Sequence, residues 1–291
     1  MLAGSAPPCD AQRADSDSAA IAPAPSSRDT TLPAPAPPSP PRPPAPLFTW
    51  SDAATGGAFV LVALSIAPSD VAIAQATQGP EHQSDNATTA ANVLTALGGW
   101  VPIAAGLGLY ASGRLSHKSR VAEVGLRTTE AIALGSALTF LVKGLTGRAR
   151  PKTVGDSVST DFSFGRGFTD SHYDALPSGH ATVAFATATV LTMETARWHP
   201  NALWYVAPLA YGGATAVGWS RIYLNEHWIS DVALGAGVGT LAGIFVMRFH
   251  QARPHNAIDR WLLPTTLGPS AHGGSTLIWT IPMGGGPPDG E

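Results

Sequence analysis

Cysteine and charged residues are both scarce in this sequence of 291 residues. Its one cysteine, Cys9, cannot support an internal disulfide framework or a metal site built from cysteines alone. The net charge of −3 comes without a clustered basic face, so we expect no nucleic-acid partner. Residues 48–250 contain only 25 charged side chains, about 12%, whereas soluble domains carry about 25%. A segment so poor in charge is either deeply buried or in contact with lipid.

Proline is concentrated near the N-terminus, where residues 1–47 hold 13 of the 26 prolines, mixed with Ala and Ser. Proline lacks a backbone N–H and fixes φ, so this segment cannot sustain a helix or a sheet. We predict a disordered, partly polyproline tail, and we favour a solvated linker over a ligand for a proline-binding domain. The first residues show no basic stretch followed by an apolar run, so we expect no cleaved secretory signal.

Six apolar stretches follow the tail and predict an all-α fold, a six-helix up-and-down bundle over residues 48–250. They lie at about 56–75, 88–112, 121–145, 180–194, 203–219 and 228–248. The second has no charge from Asn86 to Gly113, which at 1.5 Å per residue is long enough to cross a bilayer of about 30 Å. The third and fourth are less clear because they contain charges. Either the bundle is soluble, or its helices span a membrane with polar groups turned inward. Residues 251–291 form a C-terminal tail without an assignment.

The distribution of basic residues favours the membrane arrangement. In an up-and-down bundle, the turns after the second, fourth and sixth helices share one side. These turns contain Arg114, Lys118, Arg120, Arg197, Arg248 and Arg253, whereas the charges of the other side are balanced. The positive-inside rule places the basic side in the cytoplasm. We therefore predict an integral membrane protein, with a soluble or periplasmic form as the alternative.

Three polar clusters lie where apolar stretches end. They are Lys143-x6-Arg150-Pro151, Pro177-Ser178-Gly179-His180 and Ser220-Arg221-x5-His227-x3-Asp231. In the predicted order, the first cluster ends the third helix, the second begins the fourth, and the third connects the fifth to the sixth. All three are therefore expected at the same end of the bundle, on the non-cytoplasmic side.

The cations and the helix start of these clusters suit a phosphate group. Lys143, Arg150 and Arg221 supply three positive charges, and a guanidinium fork matches paired phosphate oxygens. Ser178 and Gly179 begin a helix, where unpaired backbone N–H groups favour an anion. These five residues are our candidates for phosphate binding.

The remaining residues of the clusters suit nucleophilic catalysis. His227 and Asp231 are four residues apart, so on one helix the carboxylate can accept a hydrogen bond from one ring nitrogen. The other nitrogen is then an oriented nucleophile. His180, on a different helix, is available as the acid that protonates a leaving oxygen. Each motif alone is common, but ordinary helix capping does not explain all three together.

In this order and spacing, the three clusters resemble the signature of the type 2 phosphatidic acid phosphatase and vanadium haloperoxidase superfamily. The resemblance covers about residues 121–248, and the two preceding helices fit the six-helix membrane branch. It implies that His227 attacks phosphorus to give a phosphohistidine, that Asp231 orients His227, and that His180 protonates the departing alcohol and later activates water. It implies a phosphatase reaction without metal or cofactor, which suits a site where fixed cations neutralise the phosphate oxygens.

We therefore expect a hydrolase that cleaves a phosphate monoester or pyrophosphate, most simply that of a lipid. One alternative is a vanadium-dependent haloperoxidase, in which the same residues bind vanadate, although the vanadium enzymes of the superfamily are generally longer and soluble. Another is a non-catalytic membrane scaffold for phospholipid head groups, which would need the cations but not His180, His227 and Asp231. Residues 152–176 form a long loop that we expect at the entrance, as a lid or as a solvated connection. No protein partner follows from the sequence.

Overall fold

A computed structural model describes residues 46–254 and 256–263, together with the backbone of two strands at 266–269 and 275–278. The predictions for the Pro-rich tail and Cys9 lie outside the described residues. The helices are α1 (Trp50–Ile66), α2 (Asp70–Gln78), α3 (Asp85–Leu97), α4 (Trp100–Leu115), α5 (Ser119–Thr146), α6 (Gly179–Trp198), α7 (Leu203–Tyr223), α8 (Ile229–Ala252) and α9 (Ala257–Leu262). In the C-terminal tail, β1 (Thr266–Pro269) pairs antiparallel with β2 (Ser275–Ile278), with Thr266 opposite Ile278.

The predicted all-α fold is confirmed for the described residues up to Leu262, although two of the six predicted helices are broken. The first consists of α1 and α2, which are separated by a 3₁₀ turn at Ala67–Ser69 that contains a proline. The second consists of α3 and α4, which meet at Gly98 and Gly99 with a bend of 40°. A Cβ atom at Gly98 would lie 2.3 Å from the Val217 Cγ1 atom, so glycine is needed for the close approach of this break to α7.

Helix α6 is central and packs against α5, α7 and α8. Small residues allow this close packing: a Cβ atom at Gly239 of α8 would lie 2.2 Å from the carbonyl oxygen of Thr182 in α6. The main apolar cluster of the bundle contains Ala131, Ala186, Val190, Val246 and Met247. The tight contacts fix the ends of α5, α6, α7 and α8 relative to one another, and the polar clusters lie at these ends.

Several helices have the length and composition of membrane spans. Trp50–Gln78 and Ile229–Ala252 meet this criterion, and the bent pair α3–α4 would make a third span. Helices α5, α6 and α7 are not among them. Arg127 of α5 and Glu194 of α6 form a buried ion pair within the bundle. Large apolar side chains are exposed on the outer surface, for example Leu61, Leu107 and Phe140. These features support an integral membrane location.

Candidate active site

The three polar clusters surround one cavity of about 360 Å³. Six of the eight predicted site residues line it, namely Lys143, Arg150, Gly179, His180, Arg221 and His227. Gly98 and Gly99 of the α3–α4 break, Ile103 of α4 and Phe140 of α5 also line the cavity. The structure therefore brings the predicted residues together at one end of the bundle. Ser178 and Asp231 lie behind the cavity surface and are fully buried.

Arg150 and Lys143 are held by an acidic residue of the loop between α5 and α6. The Arg150 Nε atom donates to Asp174 Oδ1 at 2.7 Å, and the Arg150 Nη1 atom donates to the Glu226 carboxylate. The Lys143 ammonium donates to the backbone carbonyl of Asp174 and lies 3.6 Å from its carboxylate. Hydrogen bonds within the protein thus orient two of the three cations of the cavity.

Arg221, in the last turn of α7, completes the cationic wall. Its Nη1 atom donates to Thr95 Oγ1 at 2.9 Å, and its Nη2 atom lies 3.9 Å from Glu226. Burial opposes ionisation of Glu226, but the hydrogen bond from Lys152 and the charges of Arg150 and Arg221 hold the pKa of this carboxyl below its usual range. Glu226 is therefore an anion between three cations.

Sequence reasoning missed the roles of Asp174 and Glu226. The only signal was adjacency to the clusters, since Asp174 precedes Pro177 by three residues and Glu226 comes directly before His227. Asp174 also bears on the prediction that the loop 152–176 lies at the entrance. It is the residue of this loop that lines the cavity. Phe168 of the same loop packs against Phe140, with ring centroids 5.6 Å apart. The end of the loop thus borders the cavity, as expected.

The first turn of α6 borders the cavity. Ser178 is the N-cap residue, and its hydroxyl accepts from the Ala181 N–H at 3.5 Å. The Ser178 N–H donates to the carbonyl oxygen of Asp231 at 2.9 Å, which ties the start of α6 to α8. Gly179 and His180 follow and line the cavity. In this arrangement the Ser178 side chain caps the helix, so its predicted contact with phosphate stays a prediction.

His227 is buried in the connection between α7 and α8. Its Nδ1 atom lies 2.8 Å from the carbonyl oxygen of Ala175 and 3.8 Å from Asp231 Oδ2. The hydrogen bond therefore goes to a backbone carbonyl, and not to Asp231 as the spacing suggested. A carbonyl accepts only from a protonated Nδ1, so the Nε2 atom of the neutral ring carries the free lone pair. Burial, with the charges of Lys143, Arg150 and Arg221, lowers the pKa of His227 well below its usual range and keeps the ring neutral.

Asp231 is held by backbone and side-chain donors behind His227. Its Oδ2 atom accepts from the Trp228 N–H at 2.9 Å, and its Oδ1 atom accepts from Arg148. Arg148, which belongs to the first cluster but had no assigned role, is thus directed away from the cavity. Within the described part of the chain, no group of three or more His, Cys, Asp or Glu side chains is arranged to hold a metal ion. Independence from metal stays a prediction.

Comparison with known proteins identifies relatives of the region that builds this cavity. The family model of the PAP2 superfamily matches residues 125–255. A decaprenylphosphoryl-5-phosphoribose phosphatase of Mycobacterium tuberculosis is 34% identical over 148 residues, which cover 51% of this chain and 70% of that protein. An undecaprenyl-diphosphatase of Sulfolobus acidocaldarius is 23% identical over 163 residues, which cover 56% of this chain and 69% of the relative.

Two further matches differ in extent. A lipid A 1-phosphatase of Porphyromonas gingivalis is 43% identical over 83 residues, which cover 28% of this chain and 18% of that protein, so the chain matches less than a fifth of its length. The crystal structure of a transmembrane PAP2 type phosphatidylglycerolphosphate phosphatase from Bacillus subtilis superimposes with a TM-score of 0.54 and 20% identity. The match covers 72% of this chain and 100% of the other, and it shows a shared fold.

The helical fold, with helices suited to a membrane, and the match to proteins named phosphatases define the class of protein to which this chain is related. The chain belongs to the PAP2 superfamily, and the resemblance inferred from the three clusters is confirmed.

Proposed function

We propose that this protein is a membrane phosphatase that removes phosphate from a lipid phosphate or pyrophosphate through a phosphohistidine at His227, without a metal. The observation that carries the proposal is the convergence of Lys143, Arg150, Arg221, His180 and His227 on one cavity. Three cations can neutralise the phosphate oxygens in the transition state, and hydrogen bonds to Asp174 and Thr95 already orient them. The two histidines supply a nucleophile and an acid.

In the first half-reaction, the Nε2 lone pair of His227 forms a bond to phosphorus while the bond from phosphorus to the alcohol oxygen breaks. His180, which takes up a second ring proton once the phosphate anion is bound beside it, donates that proton to the departing oxygen, so the product leaves as a neutral alcohol. The His227 ring becomes positively charged as the bond forms. Asp231, with its Oδ2 atom 3.8 Å from Nδ1, supplies a negative charge behind the ring.

In the second half-reaction, His180 accepts a proton from water, and the hydroxide oxygen attacks phosphorus. The bond from phosphorus to Nε2 breaks, and inorganic phosphate leaves with His227 restored. Throughout both steps, the Nδ1 proton remains on the hydrogen bond to the Ala175 carbonyl oxygen, which is 2.8 Å away. The ring therefore needs no change of tautomer between turnovers.

Support for a lipid substrate comes from the walls of the cavity and from the relatives. Ile103, Phe140 and Val183 give the cavity an apolar side, and Phe140 is also exposed on the outer surface of α5. An apolar chain attached to the phosphate can therefore leave the cavity toward the surrounding lipid. The relatives from Mycobacterium tuberculosis and Sulfolobus acidocaldarius are named for polyprenyl phosphate substrates.

We also propose that the cavity opens on the non-cytoplasmic side. The basic turns near Arg114, Lys118 and Arg197 follow α4 and α6, at the helix ends remote from the three clusters. The positive-inside rule assigns these turns to the cytoplasm, so the cavity opens on the opposite side.

The proposed function is tested by measuring phosphate release from phosphatidic acid, phosphatidylglycerol phosphate, undecaprenyl pyrophosphate and a soluble aryl phosphate. We expect at least one lipid to have a higher kcat/KM than the aryl ester, and vanadate to inhibit. No release from any of these compounds, with head-group binding retained, would favour the scaffold alternative. Vanadate-dependent halide oxidation by peroxide would favour the haloperoxidase alternative.

A further inference from the structure

A buried ionic network lies directly behind the His227–Asp231 pair. Arg148 donates from Nη1 to Asp231 Oδ1 at 2.5 Å and from Nη2 to Asp70 Oδ2 at 2.7 Å. Arg148 also donates to Ser230 Oγ at 2.8 Å. All four residues are buried. One guanidinium thus joins two carboxylates that are far apart in the sequence.

Asp70 accepts hydrogen bonds from Arg148 and also from Ser230, next to the start of α8. Its Oδ1 atom accepts from the Ser230 N–H at 3.0 Å, and its Oδ2 atom accepts from the Ser230 hydroxyl at 2.7 Å. Ser230 directly precedes Asp231, so these bonds hold the turn that carries the Asp231 carboxylate. Asp70 is the first residue of α2 and lies outside the residues 125–255 that match the family model.

Arg148 has no freedom to take part in phosphate binding. Its Nε and Nη2 atoms both donate to the Ser159 carbonyl oxygen, at 2.9 and 2.7 Å. The ring centroids of Phe162 and Trp228 lie 5.4 and 5.7 Å from the Arg148 Cζ atom, within the range of cation–π contacts. Unlike Arg150, Arg148 does not line the catalytic cavity. These contacts hold the Arg148 guanidinium against Asp70 and Asp231.

The charge balance of the network gives Asp70 a further effect on the reaction. Asp231 and Arg148 alone form a neutral pair, which offers little net stabilisation to a positively charged His227 ring. With Asp70 the network carries a net charge of about −1, and low dielectric surroundings strengthen its effect on the ring. Asp70 therefore lets Arg148 hold Asp231 in place without cancelling its charge.

We propose that Asp70 and Arg148 are positioning residues for the His227–Asp231 pair: together they fix the Asp231 carboxylate and preserve a net negative charge behind the nucleophile. The inference rests on the proposed role of His227 as the nucleophile. Neither residue touches the phosphate, so their loss acts on the chemical step and leaves substrate binding largely intact.

The first test compares Asp70→Asn with Asp52→Asn, using the full chain in detergent and a soluble aryl phosphate. Asp52 is a matched control because it is also a buried aspartate of the first helical segment, ion-paired with Arg248 and remote from the cavity. We expect Asp70→Asn to lower kcat on the order of 10- to 100-fold with little change in KM, as for misplacement of a reacting group. Asp52→Asn should keep the parental kcat. Parental kcat in folded Asp70→Asn would overturn the inference.

A double-mutant cycle separates positioning from general destabilisation. If Asp70 acts through Asp231, adding Asp70→Asn to Asp231→Asn should change kcat by less than about twofold, because the two residues belong to one unit. Independent, multiplying losses would overturn the inference. If Asp70→Asn does not fold, Arg148→Lys can be used instead. Lysine keeps the positive charge but cannot bind both carboxylates as the guanidinium does, so this variant should show the same selective loss of kcat. A parent enzyme that releases no phosphate from the aryl ester or from any of the lipids would instead contradict the proposed function.

Discussion

The Nδ1 atom of His227 lies 2.8 Å from the carbonyl oxygen of Ala175, closer than the 3.8 Å that separates it from the Asp231 carboxylate. A backbone carbonyl thus selects the tautomer of the His227 ring, and the Asp231 carboxylate lies beyond hydrogen-bond distance of Nδ1. Ala175 belongs to the connection between α5 and α6, the same connection whose Asp174 holds Lys143 and Arg150. The orientation of the His227 ring and that of the Lys143 and Arg150 side chains therefore depend on one short segment.

His227→Ala should abolish phosphate release, by more than about 10³-fold, because it removes the only proposed nucleophile. Trapping during turnover should give an acid-labile phosphorylated species in the parent and none in the variant. His172→Ala is the matched control, since His172 is an exposed histidine of the loop before α6 and does not line the cavity. Residual turnover within about tenfold of the parent would contradict the assignment of His227 as the nucleophile.

Much of this site could be predicted from the sequence because helix periodicity and apolar length place chain segments in order. Lys143, Arg150, His180, Arg221 and His227 end or begin apolar stretches, so an up-and-down order is enough to bring them to one end. The carbonyl of Ala175 could not be predicted, since every residue has one and only the fold selects among them.

Contacts between segments that are distant in the sequence could not be predicted either. Asp70 and Arg148 are 78 residues apart, and they meet because the 3₁₀ turn after α1 directs α2 toward the start of α8. A lone aspartate after a Pro-Ser pair carries no signal of such a partner. The contact of Thr95 could not be predicted for the same reason. Thr95 lies in α3, close to the bend between α3 and α4, and accepts from Arg221 of α7.

Glu226 should make the stability of the protein vary with pH in the acidic range. Burial raises its pKa, but Lys152, Arg150 and Arg221 outweigh this effect and lower the pKa from its ordinary value of 4.5. Because the folded pKa is below the unfolded one, the contribution is complete above pH 4.5 and is lost as the pH falls through the folded value. The Tm difference between the parent and Glu226→Gln should therefore shrink below pH 4.5.

The control for this measurement is Glu81→Gln, since Glu81 is an exposed glutamate in the turn between α2 and α3. Its Tm difference from the parent should stay small and nearly independent of pH, as for most surface changes. A Tm difference for Glu226→Gln that is unchanged between neutral and strongly acidic pH would contradict the assigned ion pairs.

Phosphate release should survive excess chelator. Lys143, Arg150 and Arg221 already face the proposed phosphate position, and their charges can do what a divalent ion does in other phosphatases. The measurement compares initial rates before and after dialysis against chelator, with and without added magnesium. Loss of turnover on dialysis, restored by magnesium, would show that the three cations do not suffice.

Cysteine labelling on whole cells should place the cavity on the non-cytoplasmic side. Ser116 follows α4 beside the basic turn, and Ser157 lies in the loop between α5 and α6 on the cavity side; both are exposed. Single cysteines at these positions, in a Cys9→Ser background, should react oppositely with a membrane-impermeant thiol reagent. We expect Ser157→Cys to be labelled and Ser116→Cys to be protected until the membrane is permeabilised, because the positive-inside rule retains the basic turn in the cytoplasm. The reverse pattern would invert the proposed orientation, and equal labelling of intact cells would contradict a spanning arrangement of these helices.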